Sequence, residues 1–136
     1  MQIELSGKEF RRLLDMVYIG NWILNSTREE NDRIEDYDRI EEKLFALCRS
    51  NGMDALCEQY RGHTLPSRAF NDGGIQEAIV AYEDAVFYDI LAEELAKRDM
   101  GYPDISEDNY EELISRMEAY LDEFDENGAD NISVTP

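Results

Sequence analysis

The chain is short of several things, and each shortage excludes something. Of its 136 residues only Cys48 and Cys57 are cysteine, three are proline, and His63 and Trp22 are single representatives of their types. Two cysteines cannot make a disulfide framework, which points to a reducing, cytoplasmic setting. One histidine excludes the paired Glu-x-x-His helices of ferritin-like di-iron bundles, and the residue three before His63 is Tyr60. Basic side chains are scarce: 13 Lys and Arg stand against 32 Asp and Glu, a formal charge of −19. A surface this negative does not displace counterions from a phosphate backbone, so direct nucleic-acid binding is not expected. An anionic membrane face is disfavoured for the same reason. Long apolar runs are missing too. The longest, residues 13–24, contains Asp15 and Asn21 and falls short of the roughly 20 residues a membrane span needs. The opening MQIELSGKEF has neither the basic nor the apolar region of a secretory signal.

What is present is enough apolar residue, 43%, to bury the core of one domain. The negative charge is concentrated. Residues 1–25 balance, whereas residues 104–136 carry Arg116 as their one base against eleven acids, a sum of −10. One end or face should therefore be strongly negative.

The periodicity predicts an all-α fold: a compact bundle of four main helices plus one short helix, with short loops. Ser6 precedes Glu9 at capping-box spacing, and a first helix follows over residues 7–25. Its apolar rows, Phe10, Leu13, Leu14 and Val17 together with Met16, Ile19 and Ile23, surround it almost completely, which predicts a central helix. Gly20 within it is expected to let a neighbour approach. A second helix shows Ile34, Tyr37, Ile40, Leu44, Leu47 and Cys48 on one face, with Asn51-Gly52 as its stop. A short helix is expected over Met53, Leu56, Cys57 and Tyr60. Residues 61–74, with Pro66 and three glycines, read as non-helical. A long helix over residues 75–99 ends at Gly101 and Pro103. The last helix starts after Ser106 and buries Tyr110, Leu113, Ile114, Met117, Leu121 and Phe124. Residues 1–126 are expected to form one domain and residues 127–136 a flexible, frayed acidic tail. No strand of useful length is expected.

Candidate sites follow from charge and spacing. On the last helix Glu111, Glu112, Glu118, Asp122 and Glu123 lie outside the apolar stripe and form an acidic face for a basic protein partner. On the long helix Asp89 and Glu93 follow the direction set by Ile75, Ile79, Tyr82 and Val86. Two carboxylates one turn apart can hold a divalent cation; the alternative is that the helix changes its buried side midway, or that the pair meets Arg11 or Arg12. Arg61, His63 and Arg68 cluster in the turn segment and can hold an anion; the alternative is a solvated loop. Residues 123–134 match a calcium loop at Glu123, Asp125, Asn127 and Gly128, then fail where Val134 replaces the bidentate acid. The Glu-Glu-x-x-Glu pattern of helical pyrophosphohydrolases fails at its third acid wherever it begins. Cys48 and Cys57 read as small core residues, as do Tyr37, Tyr82 and Tyr110 as core tyrosines; Tyr88 and Tyr102 are expected outside. Phe87, Tyr88, Leu91 and Leu95 form a second apolar strip that the last helix or a second copy must cover, so a homodimer through helix 75–99 is one outcome.

No nucleophile arrangement, phosphate loop or cofactor fingerprint is found, and no cofactor is expected. The expectation is a non-enzymatic, cytoplasmic interaction module. Its alternatives are a nucleic-acid mimic occupying the basic groove of a DNA-binding protein, and a divalent-metal-dependent hydrolase built on Asp89 and Glu93.

Overall fold

Ser6 starts the first helix as its spacing predicts. In the computed structural model, which describes residues 1–135, its side chain accepts from the Glu9 N–H while the Glu9 carboxylate accepts from the Ser6 N–H at 2.8 Å. Helix α1 then runs Gly7–Asn25. The order continues with α2 (Glu35–Ala46), a hairpin of β1 (Cys57–Tyr60) and β2 (His63–Pro66), the short α3 (Arg68–Phe70), α4 (Gln76–Asp99) and α5 (Tyr110–Asn127). The fold is mainly α, with α1, α2, α4 and α5 as its long helices. Its described residues fall into two units, Met1–Ile79 and the part beginning at Val80, with the division inside α4.

In Met1–Ile79 the core joins Phe10, Leu14, Phe45, Cys48, Cys57, Phe70 and Ile75. The Phe70 ring meets Phe45 edge-on at 4.9 Å and Tyr18 at 5.2 Å, with the Arg11 guanidinium 4.7 Å over its face. Arg11 is held in place by Asp15. The helix faces differ from the sequence reading. α1 buries one stripe, Phe10, Leu14, Asn21 and Asn25, and leaves Met16 (71% exposed), Ile19 and Ile23 outside; it is not a central helix. A Cβ at Gly20 would meet open space, so that glycine serves no close approach. α2 is turned by about a quarter of a turn from expectation. It points Ile34, Asp38, Glu41, Phe45 and Cys48 inward and leaves Tyr37, Ile40 and Leu47 exposed. The full burial of Phe45 against Phe70 outweighs the smaller gain from Leu44 or Ile40.

The short helix expected near residue 53 is a 3-10 turn, Asp54–Leu56, leading into β1. β1 and β2 pair antiparallel, Cys57 opposite Pro66 and Tyr60 opposite His63. Arg61 and Gly62 both take positive φ (47° and 81°), which gives the two-residue turn the twist a hairpin needs. The Ser67 hydroxyl donates to the Ala55 carbonyl at 2.5 Å and caps α3 by accepting from the Phe70 N–H. A π-turn, Asn71–Ile75, kinked at Gly74 (φ 107°), joins α3 to α4. Residues 61–74, expected to be non-helical, thus hold a strand and the short helix α3. α2 ends at Ala46 and a 3-10 turn, Arg49–Asn51, carries the chain to Gly52 at φ 70°.

In the unit beginning at Val80, Ala92 and Ala96 of α4 are fully buried, and Leu113 and Phe124 of α5 are nearly so. Tyr88 packs on Phe124 at 5.2 Å, so it lies partly inside rather than outside. Tyr82 (60% exposed) and Tyr110 (54%) are outside rather than in the core. Gly101 and Pro103 follow the end of α4 as expected, with the Tyr102 N–H returning to the Lys97 carbonyl at 2.8 Å. α5 begins at Tyr110, four residues after Ser106, whose carbonyl accepts from the Tyr110 N–H. Beyond α5 the Ile132 N–H reaches the Ala129 carbonyl and the Asn131 amide donates to Glu123 at 2.6 Å. No helix among the described residues is long and apolar enough to cross a membrane.

Candidate functional site

The acidic face of α5 is built by helical spacing alone. Glu111, Glu118 and Asp122 recur after seven and four residues on one stripe, and all three are exposed without an ion-pair partner among the described residues. Glu112 lies a quarter-turn away and pairs with Arg116 at 2.8 Å. Glu123 is half-buried and accepts from Asn127 and Asn131, so it serves the helix end rather than a calcium loop.

The pair on α4 is separated in circumstance. Asp89 is exposed, whereas Glu93 is engaged by Lys97. Arg11 and Arg12 are both committed to Asp15. The helix does change its buried side: Ile79 lies inward near its start, Ala92 and Ala96 inward later. Among the described residues no three His, Cys, Asp or Glu side chains converge as a metal site.

The cations of residues 61–68 each have a partner of their own. Arg61 stacks on Tyr60 at 5.1 Å, Arg68 pairs with Asp72 at 3.3 Å, and His63 Nδ1 lies 3.3 Å from the Glu42 carboxylate. Glu42 also accepts from the Thr64 N–H at 3.0 Å; these two bonds, the backbone one larger, hold its pKa below the usual value. Cys48 and Cys57 are free and buried, and burial, with Cys57 next to it, pushes the Cys48 thiol up to about 11.

The most developed polar site is one that sequence reasoning missed. Asn25, fully buried, accepts from the Ile34 N–H at 2.8 Å and donates to the Ile34 carbonyl and to Asn21 Oδ1. This ties the segment between α1 and α2 to the end of α1. Asn21 donates to Asp38 at 3.0 Å, and Arg33 grips Asp38 with Nη2 at 2.6 Å and Nε at 2.9 Å. The Arg33 fork, with Asn21, holds the Asp38 pKa low. One turn along α2 stands Glu41, which forms no ion pair among the described residues. Burial raises its pKa to about 7; Asp38 adds to the rise, and Asn21 and Arg33 oppose it. Tyr18, Asn21, Trp22, Ser26, Arg33 and Glu41 line a cleft of about 270 Å³. Tyr18 and Trp22 stack at 6.1 Å, and Gln76 donates to the Tyr18 hydroxyl at 2.7 Å. The Tyr18 pKa is raised, first by burial and then by the charge of Glu41. A second groove, about 610 Å³, shares Arg33 and Glu41 and runs to Thr64 of the hairpin. The available signal was spacing: Asp38 and Glu41 stand four and seven residues after Ile34, on the stripe that ends at Phe45, and Asn21 and Asn25 continue the stripe of Leu14. A carboxyl of shifted pKa in a cleft with aromatic walls is the usual mark of a binding or reacting site.

No known protein family matches the chain, and neither does any curated protein or solved structure.

Proposed function

We propose that the chain is a non-enzymatic, cytoplasmic interaction module that engages a basic protein partner through the exposed stripe of α5. One observation carries this reading: Glu111, Glu118 and Asp122 share a face, point to solvent and have no ion-pair partner among the described residues. Such a face accelerates encounter with a positive surface and fixes its register. Exposed Val80, Phe87 and Ile90 on α4 supply the apolar contact such an interface needs; pairing of two copies through α4 is the competing use of that surface, read by sedimentation of the purified chain. The buried, free thiols agree with a reducing compartment.

The test is capture from the native host's lysate, nuclease-treated, with wild type beside a Glu111→Gln, Glu118→Gln, Asp122→Gln variant. Three screened contacts of roughly 0.5 kcal/mol each amount to about tenfold in affinity. A basic protein held by wild type at low salt, released as salt rises and depleted about tenfold on the variant supports the proposal. Equal capture by both proteins removes the α5 face from the account. Release of that partner by added duplex DNA makes the chain a nucleic-acid mimic instead.

A further inference from the structure

We propose that the cleft between Trp22 and Glu41 in Met1–Ile79 is a binding site for a primary alkylammonium group, supplied by a lysine side chain or by a free amine. The proposal is independent of the α5 face.

The chemistry of the lining selects the ligand. Trp22 and Tyr18 present stacked rings on one side, and an aromatic face attracts an organic cation. Glu41 supplies a carboxylate that no cation among the described residues pairs with: the fork of Arg33 is spent on Asp38, to which the Asn21 amide donates as well. A half-buried carboxylate without a cation is costly, and a bound ammonium offsets that cost with a charge-assisted hydrogen bond. An anion finds no free donor pair here, since the one arginine is engaged. A metal ion finds one uncommitted carboxylate among aromatic and amide groups, which is too few hard ligands.

Size and approach point the same way. A volume of about 270 Å³ lies below the range of pockets that enclose drug-sized ligands and suits a short alkyl chain with a compact head. The adjoining groove carries Glu30, Glu35, Asp38, Glu41 and Glu42 against Arg33, Arg39 and His63, so its field draws a cation toward Glu41.

Trp22 is the single tryptophan of the chain, and it lines the cleft, so its fluorescence and its indole N–H resonance report this site alone. The probes are n-butylammonium, its neutral analogue n-butanol, and a lysine-bearing peptide, each titrated into the full chain near pH 8. n-Butylammonium is expected to shift both Trp22 signals saturably, with a dissociation constant on the order of millimolar for so small a ligand. Glu41→Gln is expected to weaken it at least about tenfold, and Glu42→Gln, which changes the neighbouring carboxylate on His63, to leave it within about twofold. A peptide that binds more tightly than the amine, with the same dependence on Glu41, assigns the ammonium to a protein lysine; equal binding assigns it to a free amine. Equal response to n-butanol, unchanged affinity in Glu41→Gln, or no saturable movement of either signal overturns the proposal. Glu41→Gln keeps the size of the side chain and removes its buried charge, so loss of folding does not confuse the result.

Discussion

Residues 1–79 carry ten basic and fifteen acidic side chains; from residue 80 onward three bases face seventeen acids, a net −14 against −5. The two regions handle carboxylates accordingly. In the first, several acids are engaged: Asp15 by Arg11 and Arg12, Asp32 by Arg28, Asp38 by Arg33, Glu42 by His63, Asp72 by Arg68. In the second, Lys97, Arg98 and Arg116 all have partners on their own helices, and the remaining acids, Glu123 apart, are exposed. Surface ion pairs contribute little stability each, so the contrast matters for what each surface presents. The first region shows an organised polar network with one half-buried carboxyl, Glu41, that forms no ion pair among the described residues; the second shows a largely unneutralised field. Glu41 is the exception among the half-buried acids of the first region, and it lines the cleft where a specific ligand reading arises.

The largest expected effect tests whether Met1–Ile79 is held by its ring cluster. Phe70→Ala removes a fully buried side chain that meets Phe45, Tyr18 and Arg11 and should cost about 3–5 kcal/mol. Urea unfolding followed at Trp22 measures it, and a loss below about 1 kcal/mol would dissolve the claim that this region is packed around Phe70.

The middle effect sharpens the exception. With its pKa raised to about 7 from an ordinary carboxyl value, Glu41 binds a proton in the folded chain that the unfolded chain has already lost. Its contribution therefore favours folding at low pH and is withdrawn as pH rises from about 4.5 to 7. Asp38, with a lowered pKa, runs the other way: its contribution is present above about 4 and is lost in acid. Glu41→Gln should thus raise stability by about 1–2 kcal/mol at pH 8, after allowance for solvent screening, and leave it nearly unchanged at about pH 4. Thermal melts at the two pH values decide; an equal gain at both would show that burial of the charge is not the cause.

The smallest effect concerns backbone alone. Gly20 is helical with open space beside it, so Gly20→Ala should stabilise by about 0.5–1 kcal/mol through helix propensity. A destabilisation would mean that the exposed side of α1 is covered in solution.

Much of the fold was legible because it is local. The Ser6–Glu9 capping box, the end of α4 before Gly101 and the stripe of α5 from Leu113 to Phe124 depend on neighbours within a few residues, and the structure has them. The hairpin was missed because its turn is Arg61-Gly62 rather than Asn-Gly, and because its strands are too short to alternate visibly. The acidic stripe of α5 was legible, since helical spacing sets a face whatever lies around it.

What the sequence by itself determined is the set of long helices, where two of them stop, and where the excess charge lies. Capping, glycine and periodicity act within a turn or two of chain, and charge adds without regard to shape. Only the tertiary structure decided which faces α1 and α2 bury. α2 exchanged Tyr37 and Ile40 for Asp38 and Glu41 because Phe45 and Cys48 on the same stripe join the Phe70 core, and because Asn21 and Arg33, from elsewhere in the chain, satisfy Asp38. Burial of a carboxyl depends on partners that spacing along one helix does not reveal. The Glu41 cleft exists for that reason, and the sequence alone could not disclose it.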